Sequence, residues 1–182
     1  MKKSILASVI ALGLVSGLTH AAENEVQFVG SVVKTTCNLE ASGTGPNAGL
    51  VKNVIELGQA KTGMPGKDVD FAFKPVNEGN NVQNCAQLAQ DGISTVALTW
   101  NSNAFNGQGL AAISGTASDA YVEVKATNAN VGNGEVMRTS GAVQEFAATK
   151  LSSEGLQYQA KLIGGTKPGD FKTASKFTFY YK

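Results

Sequence analysis

Apolar and polar residues alternate in short segments along most of the chain, with Gly, Asn and Ser between them. Strict alternation over four to eight residues is typical of a strand with one buried face. The intervening pieces, such as "EASGTGPNAG" and "NEGNN", have the composition of turns and loops. The alternating segments are residues 26–37, 53–58, 69–76, 93–100, 120–126, 142–148, 155–164 and 170–182.

Seven or eight short strands predict an all-β protein. Helical periodicity is weak throughout, and only "AQLAQ" at residues 86–90 is expected to form a single helical turn. No segment repeats with a period of 20 to 50 residues, which argues against a solenoid or a propeller. We therefore expect one antiparallel β-sandwich of immunoglobulin-like type.

The beginning of the chain has the pattern of a secretory signal peptide. Lys2 and Lys3 precede an apolar run from Ile5 to Leu18, and small residues follow. This run is shorter than the about 20 apolar residues that a membrane span needs. Cleavage after Ala21 is expected, with cleavage after Ala22 as the alternative. Export and three segments are predicted: a signal peptide at residues 1–21, an N-terminal extension at residues 22–33 and a domain at residues 34–182.

Removal of the signal peptide changes the available chemistry. The sole histidine, His20, is removed with the signal peptide. The loss of Lys2 and Lys3 also lowers the number of basic residues from 15 to 13, against 14 acidic residues. A chain without a basic excess is not expected to bind nucleic acid. Without histidine, a Ser-His-Asp or Cys-His catalytic arrangement cannot form. Paired carboxylates, such as Asp68 with Asp70, leave a hydrolase as a weak alternative; we expect no enzyme activity, no cofactor and no metal.

Two cysteines, Cys37 and Cys85, follow the predicted signal peptide. In an exported protein such a pair indicates one disulfide. The chain-entropy model gives a stabilisation of roughly 4 kcal/mol for a loop of this length. A reactive thiol or half of a metal site is the alternative, although no histidine or third cysteine would complete the ligands.

Four segments carry a resemblance to a known family. They are "VQFVGSVVKTTC", "VIELGQ", "DFAFKPVNEGNNVQNC" and "GDFKTASKFTFYYK". Together with the signal peptide and the cysteine pair, they resemble the chaperone–usher pilins, in particular the major subunits of thin adhesive fimbriae of enteric Gram-negative bacteria. The loop after Cys37 is longer than in many relatives, and residues 101–145 do not align with them residue by residue.

The resemblance implies an incomplete immunoglobulin-like sandwich that lacks its last strand. A periplasmic chaperone fills the resulting groove first, and at the outer-membrane usher the extension of the next identical or homologous subunit replaces it. The product is a fimbria on the cell surface that attaches to host cells, with a host-cell glycan as a further expected partner. The expected groove edge and chaperone-recognition residues are Gly169, Phe171, Phe177, Phe179 and Tyr181.

The expected donor strand is the segment that contains Val26, Phe28, Gly30 and Val32. The three apolar side chains fall on one face at period 2, and Gly30 permits a close approach where the groove is shallow. Burying these side chains has an upper bound of roughly 5–9 kcal/mol. An ordinary first strand has the same pattern, so a complete secreted or periplasmic binding module that does not polymerise is the alternative function.

Overall fold

The computed structural model describes residues 36–44 and 52–182. Val26, Phe28, Gly30 and Val32 lie outside the described residues. The described chain contains eight strands, one α-helix and one 3₁₀ helix. The strands are β1 (Leu39–Gly43), β2 (Pro65–Pro75), β3 (Thr95–Asn101), β4 (Leu110–Ala111), β5 (Tyr121–Ala126), β6 (Val143–Ala147), β7 (Leu156–Ile163) and β8 (Lys176–Tyr181).

The strands form two antiparallel sheets, which confirms the predicted all-β class. The five-stranded sheet has the order β1-β2-β7-β5-β4, and the three-stranded sheet has the order β6-β3-β8. Neighbouring strands in both sheets are antiparallel. Within the described residues, β1 ends one sheet and β8 ends the other.

An aromatic cluster fills the space between the sheets. Phe71 of β2 stacks on Tyr158 of β7, with ring centroids 5.4 Å apart, and Phe73 lies 5.6 Å from Trp100 of β3. Tyr158 is almost completely buried, and burial raises the pKa of its hydroxyl. That hydroxyl donates a hydrogen bond to Gln144 Oε1 at 3.3 Å, so the buried polar group has a partner.

The helix is longer than the single turn expected from the sequence. Helix α1 (Asn81–Gln90) buries Cys85 and Leu88, which are three residues apart and therefore share a face. Cys85 is joined to Cys37 by a disulfide, and α1 packs against the 3₁₀ helix at Ala148–Ser152. Tertiary contacts thus stabilise a helix whose own periodicity is weak.

The first described strand falls in a segment for which a loop was expected. Part of "EASGTGPNAG" belongs to β1, because Leu39 to Gly43 pair with Pro75 to Phe71 and alternate between buried and half-buried positions. Conversely, residues 53–58 were expected to form a strand, and the structure gives them none. Asn53 bonds to Ala41 of β1, and residues 54–58 belong to no strand. The short β4 was also missed.

Within residues 36–44 and 52–182, no helix has the length and apolar character needed to cross a membrane.

Candidate functional site: a groove between the sheet edges

A groove of about 1060 Å³ lies along the seam between the two sheets. Residues 53–60 form part of its lining, and residues 169–175 with Phe177 form another part. Asn53 bonds to Ala41 of β1, whereas Phe177 belongs to β8, so the groove lies between β1 and β8, which are outer strands of their sheets in the part of the chain that the structure describes. Its floor consists of inward side chains of both sheets, among them Phe71, Phe73, Trp100, Leu110, Val122, Val124 and Leu162.

Strand β8 borders the groove. In the described chain it pairs with β3 on one side, where Phe177 opposes Trp100 and Phe179 opposes Leu98, and with no strand on the other side. Phe177, Phe179 and Tyr181 all pack against the core, yet each is only half-buried. An apolar strand with one free edge is suited to pair with a further strand.

The segment before β8 forms part of the groove and is fixed to the loop between β4 and β5. Lys172 exchanges backbone hydrogen bonds with Ser114, and the N–H of Ala117 donates to the carbonyl of Asp170 at 3.1 Å. Gly169 has a φ of +137°, and a Cβ at this position would lie 1.6 Å from Thr116 Oγ1. Glycine is therefore required here by both backbone conformation and space.

A carboxylate holds the turn that leads into this segment. Asp119 accepts hydrogen bonds from the hydroxyl and the backbone N–H of Thr166 and from the N–H of Lys167. These bonds, above all the one from the Thr166 hydroxyl, lower the pKa of Asp119 to about 2. The turn and the groove segment are thus positioned by polar contacts outside the groove.

The seam is closed at one end. The Tyr181 hydroxyl, at the end of β8, donates a hydrogen bond of 2.7 Å to the carbonyl oxygen of Cys37, two residues before β1. Partial burial raises the pKa of Tyr181 to about 12, so the hydroxyl keeps its proton near neutral pH. This bond connects the two sheet edges where the groove is absent.

Two buried polar atoms of the lining residues, Trp100 Nε1 and Thr173 Oγ1, have no hydrogen bond among the described residues. A buried hydroxyl without a partner costs about 1–3 kcal/mol. Because Thr173 Oγ1 has almost no exposed surface, a strand in the groove reaches it only if the lining rearranges.

The structure brings together only some of the residues expected from the sequence. Gly169, Phe171 and Phe177 line the groove, while Phe179 and Tyr181 continue the same face of β8 towards the closed end. Cys37 and Cys85 form a disulfide with a Cα–Cα distance of 4.8 Å. Trp100 is buried in the core and also contributes to the groove floor.

Sequence reasoning missed the lining at residues 53–60. Its signal was present, because Ile55 and Leu57 are spaced by two residues and are half-buried against the core. That spacing was interpreted as a strand within the sheet. Apolar and polar residues alternate in the same way in a segment that faces an open groove and in a strand that pairs within a sheet.

The described residues thus define a class of protein: a two-sheet antiparallel sandwich with an apolar groove between its free sheet edges. The chain is 34% identical to the F107 fimbrial protein of Escherichia coli over 182 residues, which cover all of both chains. It is 29% identical to the K99 fimbrial protein of Escherichia coli, over all of this chain and 99% of that protein.

Two solved pilus structures are also similar. The P pilus rod subunit PapA matches 88% of this chain and all of its own, with 19% identity and a TM-score of 0.47. A subunit of a chaperone–usher pilus matches 97% of this chain and all of its own, with 18% identity and a TM-score of 0.44. No family model matches the chain. On the full-length identity to the F107 protein, the chain belongs to the family of fimbrial proteins, which confirms the resemblance seen in the sequence.

Proposed function

We propose that this protein is a structural subunit of a chaperone–usher fimbria that polymerises by donor-strand exchange. The groove beside β8 is the acceptor site, and residues 22–33 of the next subunit are the donor. The observation that carries the proposal is the half-buried aromatic face of β8, which borders an apolar groove and has a free edge among the described residues.

An extended apolar strand fits the chemistry of this site. Its backbone would pair with β8 and add a fourth strand to the three-stranded sheet, which is strand addition between chains. Its alternating side chains would cover the half-buried Leu162, Phe171 and Phe177 side chains on the groove lining.

The chain itself offers a donor with the required alternation. Val26, Phe28 and Val32 would point into the groove, and Gly30 would pass where the strand lies closest to the floor. Each subunit gives one strand and accepts another, so the contact joins two different surfaces of the subunit. Such a heterologous contact leaves one donor and one acceptor unpaired at the ends of the assembly and does not close into a ring. Repetition of this contact produces a filament.

The assembly route follows from the need to protect the groove. An open apolar edge promotes aggregation, so the proposal includes a periplasmic chaperone that occupies the groove before assembly and an outer-membrane usher that exchanges it. Gly169, Phe171, Phe177, Phe179 and Tyr181 are the proposed chaperone-facing residues. Removal of residues 1–21 at the inner membrane and display on the cell surface complete the route.

Attachment to host cells is part of the same proposal, and a host glycan receptor stays a prediction. The loops at residues 100–109 and 128–138 are the positions that we propose for receptor contacts. They meet in the structure, because the Arg138 guanidinium donates to the carbonyl of Gly107 at 3.1 Å and the N–H of Gly107 donates to the carbonyl of Arg138. The two loops therefore form one continuous surface.

The decisive experiment places a charge on the proposed donor face. Phe28→Asp should reduce fibre formation at least tenfold, because a carboxylate cannot enter the apolar groove without a large desolvation cost. Gln27→Asp is the matched control: it adds the same charge on the opposite face of the segment and should leave fibre formation within twofold of the wild type. Fibres are measured by electron microscopy and by the yield of polymer sheared from cells.

The same variant also tests the acceptor site. Phe28→Asp leaves the groove unchanged, so the purified variant should still bind a synthetic peptide of residues 22–33 with wild-type affinity. Equal loss of peptide binding and fibre formation would contradict the donor assignment. A wild-type mature chain that stays a stable monomer at high concentration, with no added strand, would favour the complete binding module instead.

A further inference from the structure

Three independent contacts converge on Cys37 and Asn38, the two residues that precede β1. We call this pair the root, since the proposed donor extension leaves the domain there. The first contact is the disulfide from Cys37 to Cys85 of α1. Because both cysteines are almost completely buried, this link is protected from solvent.

The second contact comes from the Asn81 amide at the beginning of α1. Its Oδ1 accepts a hydrogen bond of 2.8 Å from the N–H of Asn38, and its Nδ2 donates to the carbonyl of Asn38 at 2.9 Å. The same Nδ2 donates to the carbonyl of Val76 at 2.8 Å, just after β2. One side chain therefore ties the root to the helix and to the end of the neighbouring strand.

The third contact is the hydrogen bond of 2.7 Å from the Tyr181 hydroxyl to the carbonyl of Cys37. Tyr181 stands on β8, the strand that borders the groove. The ring of Tyr181 packs against that of Phe179, with centroids 5.8 Å apart, so the hydroxyl is held by a fixed aromatic ring. This is a direct bond between the strand beside the acceptor groove and the root of the extension.

We infer that Tyr181 is a mechanical positioning residue that carries tension between the acceptor groove and the root of the donor extension. The inference rests on the proposed function, in which each subunit is pulled at two places: at its extension, held by one neighbour, and along β8, paired with the strand of another. Tyr181 connects these two places without passing through the rest of the sandwich. Asn81 and the disulfide distribute the same load to α1 and β2.

The expected effect follows from the strength of one hydrogen bond. A typical intramolecular hydrogen bond contributes about 1 kcal/mol, which corresponds to a factor of about five in a rate. Tyr181→Phe removes the hydroxyl and retains the ring that packs on β8. When fibres of this variant are held at constant force in an optical trap, their subunits should unfold about fivefold faster than the subunits of wild-type fibres.

A control must separate tension from ordinary stability. Thr99→Val removes the 2.7 Å hydrogen bond between the Thr99 and Thr178 hydroxyls, which also involves β8 and lies away from the root. Both variants should lower equilibrium stability in denaturant by a similar amount. Of these two variants, only Tyr181→Phe should shorten the lifetime of folded subunits in fibres under force. The lifetime of Thr99→Val subunits should remain within twofold of the wild-type lifetime.

A second variant tests the other side of the root. Asn81→Ala removes the bonds to Asn38 and leaves the disulfide intact, and it should also shorten the lifetime under force. Equal lifetimes for Tyr181→Phe and Thr99→Val would overturn the inference, as would a lifetime of Tyr181→Phe fibres equal to that of wild-type fibres. A wild-type chain that forms no fibres would instead overturn the proposed function, so the two failures are distinguishable.

Discussion

The two ends of the seam between β1 and β8 differ in chemistry. At the closed end, the Tyr181 hydroxyl joins β8 to Cys37 before β1, and the Cys37–Cys85 disulfide and the Asn81 amide join the residues before β1 to α1. At the open end, residues 53–60 and 169–175 stand apart around a groove with an apolar floor. Directional bonds hold the closed end of the seam together. The part proposed to receive a strand is instead lined by apolar side chains, some of which, such as Leu162, Phe171 and Phe177, are only half-buried.

The aromatic side chains show the same difference. Phe73 of β2 is completely buried, while Phe177 of β8, whose ring centroid lies 4.5 Å away, is only half-buried. Both residues belong to one core. Phe73 is covered by both sheets, and Phe177 lies beside the free edge where the described residues provide no further strand. The core is therefore complete on the side of the disulfide and incomplete on the side of the groove.

The largest effect is expected from breaking the closed end. Replacing Cys37 and Cys85 by serine removes a cross-link between residues separated by 48 positions, which costs roughly 4 kcal/mol in the chain-entropy model. Denaturant unfolding of the mature chain with bound donor peptide would measure the loss. Hydrogen exchange at the N–H of Asn38 should accelerate as well, because its bond to Asn81 depends on the position of the root.

Wild-type protein treated with reductant in denaturant and then refolded provides the control, since it has the same broken link with native side chains. A loss below about 1 kcal/mol in both proteins would mean that the closed end is held by the Asn81 and Tyr181 bonds alone.

A smaller effect is expected at the open end. Gly169→Ala would place a methyl group against Thr116 Oγ1 and strain a backbone with φ of +137°, at a cost of about 1–3 kcal/mol. Because Gly169 lines the groove, the displaced segment should also bind the donor peptide more weakly. Thermal unfolding and peptide titration together would measure the two effects.

Gly63→Ala is the matched control for this variant. Gly63 also has a positive φ, +70°, yet a Cβ there would meet nothing within 4 Å. It should show the backbone cost without loss of peptide affinity. Unchanged peptide binding by Gly169→Ala would indicate that the segment at residues 169–175 does not shape the acceptor site.

The sequence predicted most of the sandwich because its strands have one face in the core. Strands β2, β3, β5, β6, β7 and β8 lie where alternation placed them, with ends displaced by a few residues. Strand β1 was not predicted because "LEASG" owes its burial to pairing with β2. Helix α1 was underestimated since the disulfide and Leu88, not periodicity, hold its buried face.

The site was predictable only in part for the same physical reason. The apolar face of β8 was visible as Phe177, Phe179 and Tyr181 at period 2. Contacts between residues distant in sequence were not visible in it, such as the close approach of Thr116 to Gly169, which leaves no room for a Cβ at Gly169. The bond from Tyr181 to Cys37 joins residues 144 positions apart, and no local pattern records it.

The smallest effect concerns the acid stability of the open end. In the folded chain the pKa of Asp119 is lowered from 3.8 to about 2, first by the Thr166 hydroxyl. A carboxyl group with a lowered pKa stabilises the fold above its unfolded pKa, and this stabilisation is lost as the pH falls through the folded value. Stability should therefore decline between about pH 4 and pH 2. Asp119→Asn should lower stability at pH 7 and flatten this part of the acid decline, as measured by denaturant unfolding at a series of pH values. An acid decline of unchanged slope in the variant would mean that Asp119 does not hold the turn at residues 165–167, and that the segment at residues 169–175 is positioned by its backbone bonds to residues 113–117 alone.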